Sequence, residues 1–443
     1  MDMKTIYALS TVFGKSGVAI IRLSGNKVLE ILKQMTEIDV EKIRPRHAYF
    51  SVIKNKQGYI LDKALVFYFN TPFSFTGEDV AEFHLHGSKA VIQSVLESLS
   101  DFSDVRLAEA GEFSKRAFYN KKMDLTEAEG LADLIDAETS EQQKYALRQM
   151  EGSLKNLYEG WRESLLNIMA HLEAYIDFPD EELPKNIIEN IQNTVFKIKE
   201  EIEKHVKDNN VGERLRDGFR VVILGEPNVG KSSLLNAIAK REAVIVSDMA
   251  GTTRDAIDIH MDINGYPVIF TDTAGLRKTD EEIENKGIEI AYEKAKKADV
   301  VICLFDGLKN KQQEFENIEK NNKIYVANKE DLLSDEQKIN LQNQGCILIS
   351  AKYNQGLDKL LQTIAERIKE KFTSNSGVLI TRQRYREALK NTVNYLKEFN
   401  FNKEIELSAE DIRLASREIG KITGRIEVEE ILDKIFSSFC IGK

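Results

Sequence analysis

Apolar positions follow two rhythms that alternate along the chain. From residue 1 to about 118, short β-rich runs such as Ala64 to Phe69 alternate with helical-period stretches such as Ala90 to Leu99. That mixture predicts an α/β domain. From Asp124 to Val206 the period is helical. Leu154, Leu157, Trp161, Leu165, Ile168 and Leu172 step by three or four, as do Ile188, Ile191, Val195, Ile198 and Ile202. Each set lies on one helix face, because residues three and four apart stack along a 3.6-residue turn. The two prolines of Asp177-Phe-Pro-Asp-Glu-Glu-Leu-Pro184 break the helix between them. Helical patterning returns after Gly377, where Ser408 to Asp411 is expected to cap a helix over Ile412 to Ile419.

Between the helical halves lies a third pattern, of apolar or β-branched runs that each end in a polar motif. Phe219 to Leu224 leads into Gly225-Glu-Pro-Asn-Val-Gly-Lys-Ser232, which fits G-x-x-x-x-G-K-S, and a helix is expected from Ser233 to Lys240. A strand feeding a glycine-rich turn and a helix start turns several backbone N–H groups toward one point, where they can cradle phosphates. Lys231 would reach the outer phosphates and the Ser232 hydroxyl would ligate magnesium.

Three more motifs end strands: Asp272-Thr-Ala-Gly275 after Val268 to Thr271, Asn328-Lys-Glu-Asp331 after Lys323 to Ala327, and Ser350-Ala-Lys352 after Cys346 to Ile349. In a doubly wound sheet, ligands bind at the carboxyl ends of strands, so these positions suit one shared site. Asp272 would act on magnesium through water, and the Gly275 amide would meet the terminal phosphate. The Asp331 carboxylate can accept two hydrogen bonds from a guanine edge, which adenine cannot supply. GTP is therefore the expected nucleotide. Its expected contacts are Asn228, Val229, Gly230, Lys231, Ser232 and Ser233 in the loop, and Asp272, Thr273, Ala274 and Gly275. Ser247, Asp248, Met249, Ala250, Gly251, Thr252 and Thr253 are expected contacts as well, and Asn328, Lys329, Asp331, Ser350, Ala351 and Lys352 complete them on the base side. Four such elements in this order resemble the translation-factor-like GTPases.

The segment Ser247-Asp248-Met249-Ala250-Gly251-Thr252-Thr253-Arg-Asp255 falls between the phosphate loop and Asp272. In such GTPases this is the switch segment, where Thr253 would complete the magnesium shell. The position after Asp-x-x-Gly, where many GTPases carry a water-orienting glutamine, is Leu276. Hydrolysis must then recruit another polar group. The acidic stretch Asp280-Glu-Glu-Ile-Glu284 fits that need, and equally fits the first turn of a helix, where acids are favoured. Asn228 could help hold a monovalent cation where other systems insert an arginine.

The N-terminal segments Gly17-Val-Ala-Ile-Ile-Arg-Leu-Ser-Gly25, Phe75-Thr-Gly-Glu-Asp79, Gly111-Glu-Phe-Ser-Lys-Arg-Ala-Phe118 and Met123-Asp-Leu125 carry the comparison further. With Phe439-Cys-Ile-Gly-Lys443 they make the whole chain resemble the MnmE (TrmE) family of tRNA-modifying GTPases. The resemblance implies α/β plus α architecture. A folate-binding and dimerisation α/β domain would span 1–118, and a helical domain would occupy 119–212 and 373–443. A Ras-like doubly wound G domain would be inserted at 213–372. It implies Glu284 as the water-positioning glutamate, and a potassium site from Asn228, Ser247, Met249 and Thr252. It also implies a 5-formyltetrahydrofolate site on Arg22, Glu82, Lys122 and Lys443. The expected partners are a second copy, tRNA, and a flavoprotein of the MnmG (GidA) type that carries FAD, in a heterotetramer or larger complex. A ribosome-assembly G protein would share the Pro-Asn-Val-Gly-Lys-Ser loop but is not expected to carry the N-terminal and C-terminal segments.

Composition narrows this picture. No apolar run reaches the 18 residues that could span a membrane, and three cysteines suit a reducing cytoplasm better than a disulfide framework. Cys303 and Cys346 read as strand-core thiols. Cys440 reads either as a packed thiol or as one with a chemical role. The net charge of −10 argues against a globally basic RNA binder. Thr381-Arg-Gln-Arg-Tyr-Arg386 is the best local basic patch, and also reads as an exposed helix start. His84 and His86 sit two apart on one face of an expected strand, with no cysteine or third histidine near in sequence to build a metal site.

Overall fold

The computed structural model describes residues 4–177, 185–207, 210–241, 258–271, 292–309, 322–373, 377–426 and 429–442. These form two compact units, Met1–Ala132 with Gly420–Lys443, and Asp133–Ile419.

The first unit is built on a sheet of six strands: β1 (Thr5–Leu9), β2 (Ser16–Ser24), β3 (Ala48–Lys54), β4 (Ile60–Phe69), β5 (Val80–Gly87) and β6 (Val105–Leu107). Their order is β3-β4-β5-β2-β1-β6, antiparallel throughout except where β1 meets β6. Strict alternation sorts the side chains. Ile21, Leu23, Val66, Phe83 and Leu85 point to one face, where helices Val28–Met35 and Lys89–Ser100 bury Ile31, Leu32, Val95 and Leu99 against them. On the opposite face Phe50 and Leu65 are register partners and remain 73% and 42% exposed.

Beneath the segment Asn70–Asp79 lies a polar network. Arg116, 2% exposed, holds Glu78 at 2.9 Å and Glu112 at 3.0 Å, and Glu112 also receives Arg106 at 2.7 Å. Ser24 adds bonds of 2.7 Å to Glu78 and to Thr76. Helices Glu112–Tyr119 and Glu429–Ser437 pack through Phe118 and Phe436, and the chain then runs on to an antiparallel bridge between Ala110 and Ile441.

The second unit contains a sheet ordered β12-β11-β10-β7-β9-β8, in which only β8 runs antiparallel to its neighbour. Its strands are β7 (Phe219–Leu224), β8 (Asp258–Ile263), β9 (Tyr266–Thr271), β10 (Val300–Asp306), β11 (Lys323–Asn328) and β12 (Ile347–Leu348). β7 and β10 are buried at nearly every position, as expected for central strands of a parallel sheet with both faces covered. The expected long helices are Ser153–Asp177 and Lys185–Val206, burying Leu154, Trp161, Leu165, Ile168 and Leu172 on the first and Ile191, Val195, Ile198 and Ile202 on the second. Residues 178–184 lie outside the described residues.

The expected cap at Ser408 is corrected. The helix runs Ile405–Thr423, and Ser408 sits inside it, buried, donating its hydroxyl to the Asn400 carbonyl at 2.7 Å. Among the described residues, no helix is long and apolar enough to cross a membrane.

Candidate functional site

The buried strand β7 ends at Leu224, and the chain turns at once beneath its neighbour β10. A Cβ at Gly225 would collide with the Leu304 carbonyl, and one at Gly230 with the Asn328 side chain. Gly230 also has φ +102°, and Asn228 sits at φ +61°, a left-handed conformation that asparagine tolerates better than most residues. The loop is thus pressed against two strand ends. Helix Lys231–Arg241 follows directly, with Leu234 and Ile238 buried in the sheet core. Lys231 places its ammonium at the loop, 2.7 Å from the Gly225 carbonyl and 2.9 Å from that of Glu226.

Asn328, at the carboxyl end of β11, ties three segments together. Its amide donates to the Val229 carbonyl at 2.8 Å, and its side-chain oxygen accepts from the Lys329 and Ala351 amides at 2.9 and 3.1 Å. Asp331 is set by the Ser350 hydroxyl, which donates to it at 2.6 Å. A carboxylate has further lone pairs, so it can still accept from a base edge. The Lys329 ammonium lies 2.7 Å from Asp306, the last residue of β10. Burial opposes ionisation of Asp306, but Lys329 and the Leu308 amide outweigh it and hold the carboxyl below its usual range. Lys352 reaches over the Tyr353 ring at 4.9 Å.

The expected loop residues Asn228 to Ser233 and the base-side residues Asn328, Lys329, Asp331, Ser350, Ala351 and Lys352 therefore gather at the carboxyl ends of β7, β10, β11 and β12. Asp306 was not anticipated. Its signal was a carboxylate closing the apolar run Val300 to Phe305, at the same strand-end position as the motifs. Ser247, Asp248, Met249, Ala250, Gly251, Thr252, Thr253, Asp272, Thr273, Ala274, Gly275 and Glu284 lie outside the described residues.

Two models of known families match. One described as "GTP-binding protein TrmE N-terminus" covers residues 5–122, and one described as "MnmE helical domain" covers 125–440. A tRNA modification GTPase MnmE of Rickettsia bellii (strain RML369-C) is 46% identical over 447 residues, covering 100% of each chain. That of Paramagnetospirillum magneticum is 46% identical over 442 residues, with 99% of this chain and 100% of its own covered. This chain belongs to the MnmE family. Among solved structures, Era in complex with MgGDPNP and a 16S ribosomal RNA fragment covers 50% of this chain and 98% of its own, at 19% identity and a TM-score of 0.27.

Within the MnmE-type first unit, Arg22 and Glu82 are cross-strand partners on β2 and β5, and the guanidinium meets the carboxylate at 2.9 Å. Phe75 and Phe113 flank Arg22 at 5.9 and 5.8 Å. The other Glu82 oxygen faces His84 at 3.1 Å, and His86 pairs instead with Asp62 at 2.8 Å. Lys122 donates to the Pro72 carbonyl at 2.9 Å. Lys443 lies outside the described residues. Ser10 donates to the Gly442 carbonyl at 3.1 Å, which brings the Cys440 region to the end of β1.

Cys440 itself is exposed, against the packed reading, whereas Cys303 and Cys346 are buried in the second unit. Burial pushes the Cys303 thiol up to about 12. Two of the three arginines in the patch of the second unit are paired within the chain: Arg382 with Asp133 at 2.7 Å and Arg386 with Glu213 at 3.0 Å, and Tyr385 is buried.

Proposed function

We propose that this chain is a potassium-stimulated GTPase of tRNA wobble-uridine modification. With a flavoprotein partner of the MnmG (GidA) type, it would add an aminomethyl-type (carboxymethylaminomethyl) group to uridine carbon 5. The observation that carries the nucleotide half of this reading is Asn328, which locks the phosphate loop to the base-side loops through Val229 and Ala351. The tRNA half is supported by full-length similarity to proteins named tRNA modification GTPases.

Ser232 and Thr253 would hold magnesium, which neutralises charge on the phosphates. The loop suits that role. Its close-packed glycines let backbone amides approach a ligand, and Ser232 stands in the first turn of its helix. Asn228, Ser247, Met249 and Thr252 would hold potassium, with Met249 contributing its backbone carbonyl. Glu284 would orient the attacking water, since Leu276 cannot.

In the first unit, Arg22, Glu82, Lys122 and Lys443 would bind 5-formyltetrahydrofolate or a related folate. A carboxylate held between Arg22 and His84 suits the paired donors of a pterin edge, and Phe75 offers a flat neighbour. The apolar pair Phe50 and Leu65 on the open sheet face supports a homodimer through this unit. FAD would sit on the flavoprotein, and GTP hydrolysis would drive a conformational cycle.

Nucleoside mass spectrometry of tRNA from cells lacking the gene tests the reading. Loss of aminomethyl-type wobble uridines is expected, restored by the wild-type chain and not by Glu284→Ala. Purified Glu284→Ala should bind GTP normally and hydrolyse it roughly 10²- to 10⁴-fold more slowly. Unchanged turnover would remove Glu284 from the mechanism.

A further inference from the structure

The hairpin β8–β9 lies in sequence between residues 247–255, read above as a switch, and residues 272–275, read above as reaching magnesium and the terminal phosphate. β8 starts three residues after Asp255, and β9 ends at Thr271, immediately before Asp272. Its far end touches a helix. The turn Asn264-Gly265, at φ +52° and +89°, abuts the first residues of helix Ser140–Met150.

The Gly265 carbonyl accepts from the Glu141 amide at 3.1 Å, so the hairpin satisfies a donor in the first turn of that helix. A Cβ at Gly265 would lie 2.5 Å from the Ser140 hydroxyl oxygen. The same helix is tied to the chain leading into β7, where Gln142 donates to the Arg216 carbonyl at 3.1 Å. One turn further on, Tyr145 meets Phe372 at 5.9 Å. Phe372 in turn meets Tyr266, the first residue of β9, at 5.3 Å, and Phe219, the first residue of β7, at 5.7 Å.

Helix Ser140–Met150 thus rests on the hairpin turn at one end and on an aromatic cluster rooted in β7 and β9 along its side. Between this helix and the Gly212–Asp217 segment is a cavity of about 280 Å³, lined by Gln142, Tyr145, Ala146, Leu215 and Thr381 among others. Contacts at the rim with space beneath allow the helix to follow a shift of the hairpin without a core clash, which a fully packed joint would resist.

We propose that the β8–β9 hairpin is the element that conveys nucleotide state to the helical part of this unit, with the Gly265 turn and Tyr145 as its two points of purchase. The proposal rests on reading residues 247–253 and 272–275 as switches. What it adds is the route: a backbone contact and a ring contact, not the connecting chain alone.

Trp161 is the single tryptophan of the chain and lies in the next helix, Ser153–Asp177, with its ring centroid 5.8 Å from that of Tyr158. Its emission therefore reports on the helical part. The full-length protein is compared in GDP, and in GDP with aluminium fluoride and potassium, for wild type, Tyr145→Ala and Gly265→Ala. Wild type is expected to change emission between the two states. Tyr145→Ala, at a half-buried position, is expected to lose most of that change while GTP turnover stays within about twofold of wild type. Gly265→Ala is expected to do the same, and if it fails to fold, Tyr145→Ala still decides. A full emission change in Tyr145→Ala, or a loss of turnover in step with the emission change, would overturn the proposal. Wild-type protein without any GTP turnover would instead defeat the functional reading on which it rests.

Discussion

The Asn328 side chain shows how one residue fixes the loops around a site. Replacing it with alanine removes the bond to Val229 and leaves the Ala351 and Lys329 amides without their shared acceptor. Stranded buried polar groups cost about 1–3 kcal/mol each. Asn328→Ala is therefore expected to weaken GTP binding by about tenfold to a hundredfold in calorimetric titration. Asn328 itself was legible, because nucleotide recognition demands fixed residue types at fixed strand ends. Asp306 and the Arg116 network were not. Asp306–Lys329 spans 23 residues and Arg116–Glu78 spans 38, and no spacing rule links either pair, although Glu112 and Arg116 are an i,i+4 pair on one helix.

Glu112 carries a pH consequence. Burial opposes its ionisation, but Arg106, the Glu109 amide and Arg116 prevail and lower its carboxyl. A carboxyl lowered in the folded state contributes stability above its unfolded pKa, and that contribution fades as pH falls through the folded value. Glu112→Gln should therefore lower the thermal midpoint most near pH 7, and the deficit should shrink below about pH 4.

At the scale of elements, the long helices were readable because packing follows period. Leu165, fully buried on Ser153–Asp177, is the clearest case. Leu165→Ala is expected to cost about 2–5 kcal/mol, seen as a lower urea midpoint of Trp161 emission. The start of helix Ile405–Thr423 was misread for an instructive reason. Ser408 followed three residues later by Asp411 is a local signature of a cap, yet the Ser408 hydroxyl is taken by Asn400, eight residues back. The earlier loop supplied a better acceptor for a buried hydroxyl, and the helix could then begin at Ile405. The hairpin β8–β9 was half legible: its β9 run was apparent from Val268 to Thr271, but nothing local announced that its turn would support a helix more than a hundred residues earlier.

For the molecule as a whole, contiguity in sequence and compactness in space part company. Gly420–Lys443 packs with Met1–Ala132, while the residues between them form the other unit. Each unit has its own core, so calorimetry should resolve two transitions. GTP with magnesium at a hundredfold excess over its Kd is expected to raise only the transition of the second unit, by about 2.7 kcal/mol of linkage. A chain ending at Ser438 loses Phe439, the Ala110–Ile441 bridge and the Ser10 bond to Gly442. It is expected to lower the first transition and leave the second unmoved. A downward shift of both would count against separate cores.

That same packing sets an order of events during synthesis. The residues that complete the first unit leave the ribosome roughly 290 residues after Ala132, tens of seconds at about 5–20 residues per second. Throughout that interval Phe118 and Leu125 lack Leu432 and Phe436, with which they share a buried cluster. An interrupted message would yield a chain whose nucleotide-binding unit is finished and whose first unit is not. Newborn chains are thus expected to acquire GTP affinity before they acquire a stable first unit, a sequence that pulse-labelling with limited proteolysis can follow.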